Sequence, residues 1–385
     1  MEPLPSSVLP AGVRSRILPG INGLDIHVLE SGFEQKGRPA VLLLHGFPEI
    51  AYSWRKQLPA LAAAGYHAIA PDQRGYGRTT GWSADYDADL APFRFMGLLR
   101  EAIGVLFALG HRTAEAVVGH DFGAAAASFH ALVRPDIFKR MVLMSAPFGG
   151  PPAVPFDTAD KPAAPTPADF HAALAALPRP RKHYQWYQST REANANQWQA
   201  KQGVHDFLRA YYHHKSADWP GNQPQPLASM SAAELARMPT YYLMDLARGM
   251  AETVADEMPS AAEIAACGWL TEQELGIYAA EYQRTGFQGG LLWYRCRTAA
   301  NFAAELQLFS GLKIEVPALF IAGRSDWGVY QNPGAFEAMQ TRACTQLQGC
   351  HLIDGAGHWV QQEQPEAVNR LLLGFLRDNQ VAVLA

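Results

Sequence analysis

Residues 116–127 read AVVGHDFGAAAA, and this stretch decides how the rest of the chain is interpreted. Its first three residues are apolar, as in a buried strand, and its four closing alanines favour a helix. Gly119 and Gly123 permit a sharp turn between strand and helix, with Asp121 at its tip. Taken alone, the segment could be a loop in which Asp121 caps a helix. The rest of the sequence favours a nucleophilic carboxylate.

A carboxylate at such a turn indicates a particular chemistry. Attack on an acyl carbon would give a high-energy anhydride. Attack on an sp³ carbon that bears a leaving group gives an alkyl ester, which water can then hydrolyse. We therefore expect Asp121 to act on an epoxide or an alkyl halide rather than on an ester or amide.

Length and composition restrict the possible function classes. The chain has 385 residues, of which 48% are hydrophobic, so a core domain with a substantial insertion is expected. A formal net charge of -4 gives no reason to expect nucleic acid or a membrane surface as a partner. The N-terminus lacks the basic start and apolar run of a signal peptide, so we expect a cytoplasmic protein.

The sequence predicts neither a cofactor nor a metal site. The four cysteines have no metal-ligand spacing, and a reducing compartment would keep them as thiols. There is no dinucleotide-binding glycine motif and no His-Glu-x-x-His motif. The consecutive residues His213 and His214 are predicted to lie on a solvated face rather than to bind a metal.

Short apolar strands alternate with helical stretches in the first part of the chain. Asn22-Gly23 predicts a hairpin between two opening strands. Further predicted elements are strands at 41–44, 67–70 and 140–144, and helices at 53–64 and 93–109. This alternation indicates an α/β fold with a mostly parallel central sheet flanked by helices.

The pattern changes after Pro147. Residues 149–167 are rich in Pro, Ala and Gly and predict an irregular connector, and residues 168–309 show helical patterning without a convincing buried strand. Strands are predicted again at 316–321 and 352–353, followed by an amphipathic helix at 365–378. We therefore divide the chain into a first core segment (1–147), a long helical cap insertion (148–309) and a second core segment (310–385).

Two further residues form a catalytic set with Asp121. Asp326 follows the strand at 316–321, and His358 follows the last strand, 32 residues after Asp326. Nucleophile, acid and histidine thus occur in the order typical of an α/β-hydrolase. Each could alone be a loop or surface residue, but their joint position at strand ends favours catalysis. Asp354 is a rival acid, although its place four residues before His358 is poor for reaching the imidazole.

Roles for these residues follow from the ester chemistry. His358 is predicted to activate the water that attacks the ester, and Asp326 to stabilise the cationic imidazole. The backbone N–H groups of Phe47 and Phe122 are predicted to form an oxyanion hole that serves this second step. The segment His45-Gly46-Phe47-Pro48 could alone be a simple tight turn.

Together these motifs resemble those of the α/β-hydrolase-fold epoxide hydrolases over nearly the whole chain. The matching segments are His45-Gly46-Phe47-Pro48-Glu49, Asp72-Gln73-Arg74-Gly75-Tyr76-Gly77, Gly119-His120-Asp121-Phe122-Gly123 and Gly357-His358-Trp359. The resemblance implies two cap tyrosines that protonate the epoxide oxygen. Tyr184 and Tyr294 match them, and Tyr187 stays an alternative to Tyr184. The partners implied are a small-molecule epoxide and water, with a monomer or homodimer as the assembly.

Residues near these motifs are predicted to line the substrate pocket. They are His45, Pro48, His120, Trp186, Tyr187, Trp327 and Trp359. The chain departs from the family pattern at Phe122, where Trp is common, and its insertion looks longer than in compact members.

Other functions stay open at this point. A haloalkane or haloacid dehalogenase would use the same Asp-His-Asp triad. However, Phe47 and Phe122 lack the side-chain N–H donors that usually hold a departing halide, and residues 124–127 offer no arginine for a substrate carboxylate. A non-catalytic binding protein on the same fold would not need a triad.

Overall fold

The computed structural model describes residues 1–154 and 167–378. Within them the strands are β1 (Val13–Ile21), β2 (Leu24–Ser31), β3 (Ala40–Leu44), β4 (His67–Pro71), β5 (Ala114–His120), β6 (Met141–Met144), β7 (Arg181–His183), β8 (Leu243–Asp245), β9 (Ala318–Gly323) and β10 (Leu347–Ile353). The α-helices are α1 (Leu58–Ala63), α2 (Phe95–Ala108), α3 (Phe122–Val133), α4 (Pro167–Ala175), α5 (Tyr184–Gln188), α6 (Glu192–Trp198), α7 (Gly203–Lys215), α8 (Ala232–Leu235), α9 (Met250–Ala255), α10 (Ala261–Ala266), α11 (Glu272–Thr285), α12 (Gln288–Thr298), α13 (Ala300–Gln307), α14 (Ala335–Ala338), α15 (Val360–Glu363) and α16 (Pro365–Asp378).

The central sheet has the strand order β1-β2-β4-β3-β5-β6-β9-β10. The pairs β1–β2 and β2–β4 are antiparallel, whereas the pairs from β4–β3 to β9–β10 are parallel. Every residue of β3, β4, β6 and β9 is buried, as expected for parallel strands covered on both faces. The predicted α/β-hydrolase fold is therefore confirmed.

Helices of the core pack on this sheet and on one another. Helix α3 packs on β5 and β6, and α2 packs against α3, while α1 packs on β4 and contacts α16. In the part of the chain that the structure describes, no helix combines the length and apolar character needed to cross a membrane.

Most predicted core elements are present, but one predicted helix is wrong in part. The hairpin at Asn22-Gly23 joins β1 to β2, with Ile21 paired to Leu24. The predicted helix at 53–64 is instead a 3₁₀ turn, Ala51–Trp54, followed by the short α1. Pro59 lies in the first turn of α1 because its missing N–H is tolerated there and not in a helix interior.

Between β6 and β9 the described chain is mostly helical, from α4 to α13. Strands β7 and β8 pair antiparallel through Arg181–Asp245, Lys182–Met244 and His183–Leu243, which corrects the expectation that this region contains no strand. Three-residue strands are too short to show a period-two pattern in the sequence. The predicted connector at 149–167 lies mainly outside the described residues, and the boundaries 148 and 309 of the cap stay a proposal.

Candidate active site

Asp121 stands at a strained turn between β5 and α3. Its backbone has φ 53° and ψ -118°, a conformation that non-glycine residues rarely adopt. A Cβ at Gly119 would lie 2.0 Å from the carbonyl oxygen of Gly123, and one at Gly123 would lie 2.1 Å from that of Leu44. Both positions therefore require glycine. Within the described chain the Asp121 side chain makes no helix-capping hydrogen bond, so the capping interpretation is wrong.

His358 lies between two carboxylates. Its Nδ1 is 3.1 Å from Asp326 Oδ1, and its Nε2 is 3.5 Å from Asp121 Oδ2. The side chains of His358 and Asp326 are each 1% exposed, and Asp326 Oδ1 also accepts a 2.7 Å hydrogen bond from the N–H of Gly328. Asp121, Asp326 and His358 follow β5, β9 and β10, so the parallel sheet brings the three predicted residues together at the carboxyl ends of its strands.

The rival acid Asp354 lies elsewhere. Its side chain is 83% exposed and forms an ion pair with Arg324 at the surface. Asp326 is therefore the carboxylate that contacts His358.

The loop after β3 covers the nucleophile. The N–H of Phe47 donates a 3.1 Å hydrogen bond to Asp121 Oδ1. A Cβ at Gly46 would lie 2.5 Å from Asp121 Cβ, so this close approach requires glycine. Phe122 is the first residue of α3, where a backbone N–H has no acceptor within its own helix. The two residues predicted to form an oxyanion hole are thus both next to Asp121: Phe47 donates to its carboxylate, and Phe122 follows it directly in the chain.

Electrostatics keep the two acids of the site ionised. Burial on its own would raise the pKa of Asp121, but the hydrogen bond and charge of His358, with Lys215 and His120, bring this pKa well below its usual range. Burial likewise opposes ionisation of Asp326, and the charge and hydrogen bond of His358 lower its pKa overall. An ionised Asp121 is the form that can act as a nucleophile.

Tyr184 and Tyr294 lie together above the nucleophile. The hydroxyl of Tyr184 donates a 2.9 Å hydrogen bond to Gln331 Oε1 and accepts one of 3.1 Å from Gln185 Nε2. The ring centroid of Tyr294 is 5.9 Å from that of Tyr184 and 4.7 Å from that of Phe122. Burial raises the pKa of both phenols well above the ordinary value, so both keep their protons at neutral pH.

Tyr187, the alternative to Tyr184, lies within the cap. Its ring packs on Lys182, with 4.5 Å between Nζ and the ring centroid, and its hydroxyl is hydrogen-bonded to the backbone of Met250. Tyr184 lines the cavity that contains Asp121, whereas Tyr187 does not.

A cavity of about 630 Å³ opens in front of Asp121. Its polar groups include Asp121, Tyr184 and Gln331, and aromatic side chains form much of the remaining wall. These aromatic residues are Phe93, Phe95, Phe122, Phe129, Phe148 and Trp293. An apolar cavity with a few convergent polar groups is typical of a small-molecule site.

The seven residues predicted to line the pocket are not among those that line this cavity, and neither are His358 and Tyr294, so a substrate contact for the seven stays a prediction: His45, Pro48, His120, Trp186, Tyr187, Trp327 and Trp359. Several have partners elsewhere: His120 contacts Glu49, and Trp359 donates to the carbonyl of Tyr212. His120 closes β5 directly before Asp121, and successive side chains of a strand point to opposite faces of the sheet.

Buried polar residues lie beside the triad; Glu49 and Lys215 were not predicted as site residues, and His120 was predicted only to line the pocket. His120 Nδ1 is 2.5 Å from Glu49 Oε2, and His120 Nε2 is 2.7 Å from the carbonyl of His358. Lys215 Nζ lies 4.9 Å from the ring centroid of Tyr242 and 5.4 Å from that of Trp359. Glu49 and His120 had a sequence signal, since they belong to the His45–Glu49 and Gly119–Gly123 motifs, whereas Lys215 had none. Among the described residues, no group of three or more His, Cys, Asp or Glu side chains is arranged to bind a metal ion.

Residues 39–365 match the family model described as the alpha/beta hydrolase fold. The chain is 35% identical to epoxide hydrolase B of Mycobacterium tuberculosis over 372 residues, covering 92% of this chain and 96% of that protein. The chain belongs to the epoxide hydrolase family of the α/β-hydrolase fold. This family membership is the one that the sequence motifs predicted.

Solved structures of family members have the same fold. An epoxide hydrolase from an endophytic Streptomyces superposes with a TM-score of 0.74 at 32% identity, covering 95% of this chain and 96% of that one. Epoxide hydrolase A from Mycobacterium thermoresistibile gives a TM-score of 0.71 at 31% identity, with coverages of 95% and 98%. The likeness to these solved structures therefore extends over almost the whole chain.

Proposed function

We propose that this epoxide hydrolase converts its substrate to a vicinal diol through a covalent ester on Asp121. The observation that carries the proposal is the position of the Asp121 carboxylate, with one oxygen on the N–H of Phe47 and the other facing His358. A small-molecule epoxide and water are the proposed partners. A cytoplasmic location and a monomer or homodimer stay predictions.

In the first step, Asp121 Oδ2 attacks an epoxide carbon. A carbon–oxygen bond forms to the carboxylate while the carbon–oxygen bond of the epoxide breaks. The released oxygen takes a proton from Tyr184 or Tyr294, whose buried phenols are neutral before the step, and the donor is left as a phenolate. The product of this step is an alkyl ester of Asp121.

In the second step, His358 removes a proton from water, and the resulting hydroxide attacks the carbonyl carbon of the ester. The negative charge that develops on Oδ1 is stabilised by the N–H of Phe47 and, in the proposed oxyanion hole, by that of Phe122. Asp326 stabilises the imidazolium. The ester bond then breaks, and His358 returns its proton to the leaving alkoxide. The carboxyl proton left on Asp121 passes by way of solvent to the phenolate formed in the first step, so the Asp121 carboxylate and the phenol are both regenerated as the diol departs.

Isotope labelling tests the covalent route. After many turnovers in H₂¹⁸O, the peptide that contains Asp121 should carry ¹⁸O in its carboxylate, because water attacks the carbonyl carbon of the ester. Label in the diol and none in this peptide would show direct attack of water on the epoxide and exclude the ester. Release of halide from haloalkanes without diol formation from epoxides would favour the dehalogenase alternative.

A further inference from the structure

One carboxyl group, that of Glu363 at the end of α15, holds both neighbours of His358. Glu363 Oε2 accepts a 2.9 Å hydrogen bond from the N–H of Gly357, and Oε1 accepts one of 2.8 Å from the N–H of Trp359. The residue is 8% exposed. The loop that carries the catalytic imidazole is therefore fixed on both sides of His358 by a single side chain.

The same carboxyl reaches the cap insertion. Glu363 Oε2 also accepts a 2.8 Å hydrogen bond from the N–H of Ala217, just after α7. In addition, the N–H of His358 donates a 2.9 Å hydrogen bond to the carbonyl of Lys215. A Cβ at Gly357 would lie 2.5 to 2.7 Å from backbone atoms of Lys215, Ser216 and Ala217. Cap segment 215–217 thus packs directly on residues 357–359, which form the histidine loop.

Glu363 has no ion-pair partner among the residues that the structure describes. Its hydrogen bonds there are the three backbone N–H groups of Gly357, Trp359 and Ala217. Burial raises its pKa to about 8, against the lowering effect of these donors. A side chain without two acceptor oxygens would leave buried N–H groups unpaired, which is unfavourable.

We propose that Glu363 is a positioning residue that fixes His358 for ester hydrolysis and joins cap segment 215–217 to the histidine loop. This role rests on the two-step mechanism proposed above, because only its second step uses His358. Glu363 is not in contact with Asp121 in the described hydrogen-bond network and has no part in the first step.

The Glu363→Gln variant tests this role. The amide NH₂ group of the glutamine would face backbone N–H donors at a position where Glu363 has an acceptor oxygen. The matched control is Glu366→Gln, three residues later and exposed. Rapid mixing with a chromogenic epoxide, quenching and intact-protein mass spectrometry would measure ester formation and ester breakdown separately. We expect Glu363→Gln to form the ester within about twofold of the wild-type rate and to hydrolyse it at least about tenfold more slowly, since small misplacements of a catalytic group are costly. Glu366→Gln should match the wild type in both steps.

Glu363→Asp provides a second variant that keeps a carboxyl one methylene shorter, and it should slow hydrolysis by a smaller factor. The positioning role would be overturned by any of three results. These are equal slowing of both steps, unchanged ester hydrolysis, or circular dichroism spectra that show both variants to be unfolded. His358→Gln is measured alongside. If that variant accumulates no ester, the two-step mechanism itself fails. If His358→Gln accumulates the ester and Glu363→Gln does not, the two-step mechanism stands and only the role proposed for Glu363 fails.

Discussion

Tyr184 of the cap and Gln331 of the core are joined across the cavity, with the phenol donating a 2.9 Å hydrogen bond to the amide oxygen. Both residues line the cavity that contains Asp121. The amide of Gln185 donates to the same phenol oxygen at 3.1 Å. These two hydrogen bonds hold a protonated hydroxyl on the wall of the cavity that contains Asp121, and its single proton must leave Gln331 to serve the epoxide oxygen in the proposed mechanism.

Replacing Tyr184, which lines the cavity, and Tyr294, whose ring packs against that of Tyr184, should impair ring opening alone. Tyr184→Phe or Tyr294→Phe should slow alkylation by on the order of a hundredfold, the scale for loss of one oxyanion donor. The double variant should almost abolish alkylation, and the losses should be non-additive because both phenols serve one oxygen. Stopped-flow tryptophan fluorescence would follow alkylation, given nine tryptophans in the chain.

Tyr187→Phe is the matched control for these variants, since its hydroxyl is hydrogen-bonded to the backbone of Met250 within the cap. It should alkylate at the wild-type rate. Normal alkylation in the double variant Tyr184→Phe/Tyr294→Phe would remove the argument that favours an epoxide and reopen the dehalogenase alternative.

His358→Gln should separate the two half-reactions. Alkylation needs the Asp121 carboxylate and a proton donor, whereas ester hydrolysis needs the imidazole as a base. We expect an alkyl-enzyme that accumulates and a loss of turnover of at least about a hundredfold. Mass spectrometry of quenched reactions would detect the adduct. His205→Gln, a histidine with a 40% exposed side chain, is the control and should turn over normally. A His358→Gln variant that never alkylates would contradict the assigned roles.

The sequence predicted the sheet and the triad because both follow local rules. Parallel strands buried on two faces have continuous apolar runs, and Asp121 and Asp326 each follow such a run. His358 follows the edge strand β10, where only its last two residues, Leu352 and Ile353, gave an apolar signal. Since parallel strands end at one edge of a sheet, residues that follow them converge whatever lies between them in the chain.

The remainder of the site depends on tertiary packing that no local pattern reports. Tyr184 and Tyr187 lie three residues apart in α5, and the sequence alone could not show which one faces the cavity. Gln331 and Glu363 are polar residues in ordinary surroundings along the chain, and their roles arise from burial against distant segments. The residues predicted for the pocket were chosen as neighbours of the motifs in sequence, whereas the wall of the cavity is formed by neighbours in space.

Alkylation should persist at alkaline pH. A phenol with the ordinary pKa of 10.0 would be half ionised at pH 10 and a poorer proton donor. Because burial raises the pKa of Tyr184 and Tyr294, both keep their protons through that range. Pre-steady-state alkylation rates measured from pH 7 to 10, with circular dichroism confirming the fold, should therefore be nearly constant. A drop in rate centred near pH 10 would show phenols with unshifted pKa values.

Filling the cavity should change substrate preference without touching the triad. Ala125 lies on the cavity wall in α3, so Ala125→Leu would place additional methyl groups in the space in front of Asp121. We expect kcat/KM to fall by about tenfold for a bulky aryl epoxide, a loss of about 1.4 kcal/mol, and to change little for a three-carbon epoxide. Ala63→Leu, at an exposed position of α1, is the matched control and should leave both substrates unaffected. Equal losses for the small and the bulky epoxide would mean that the substitution disturbs the nucleophile turn itself and that this cavity does not hold the substrate.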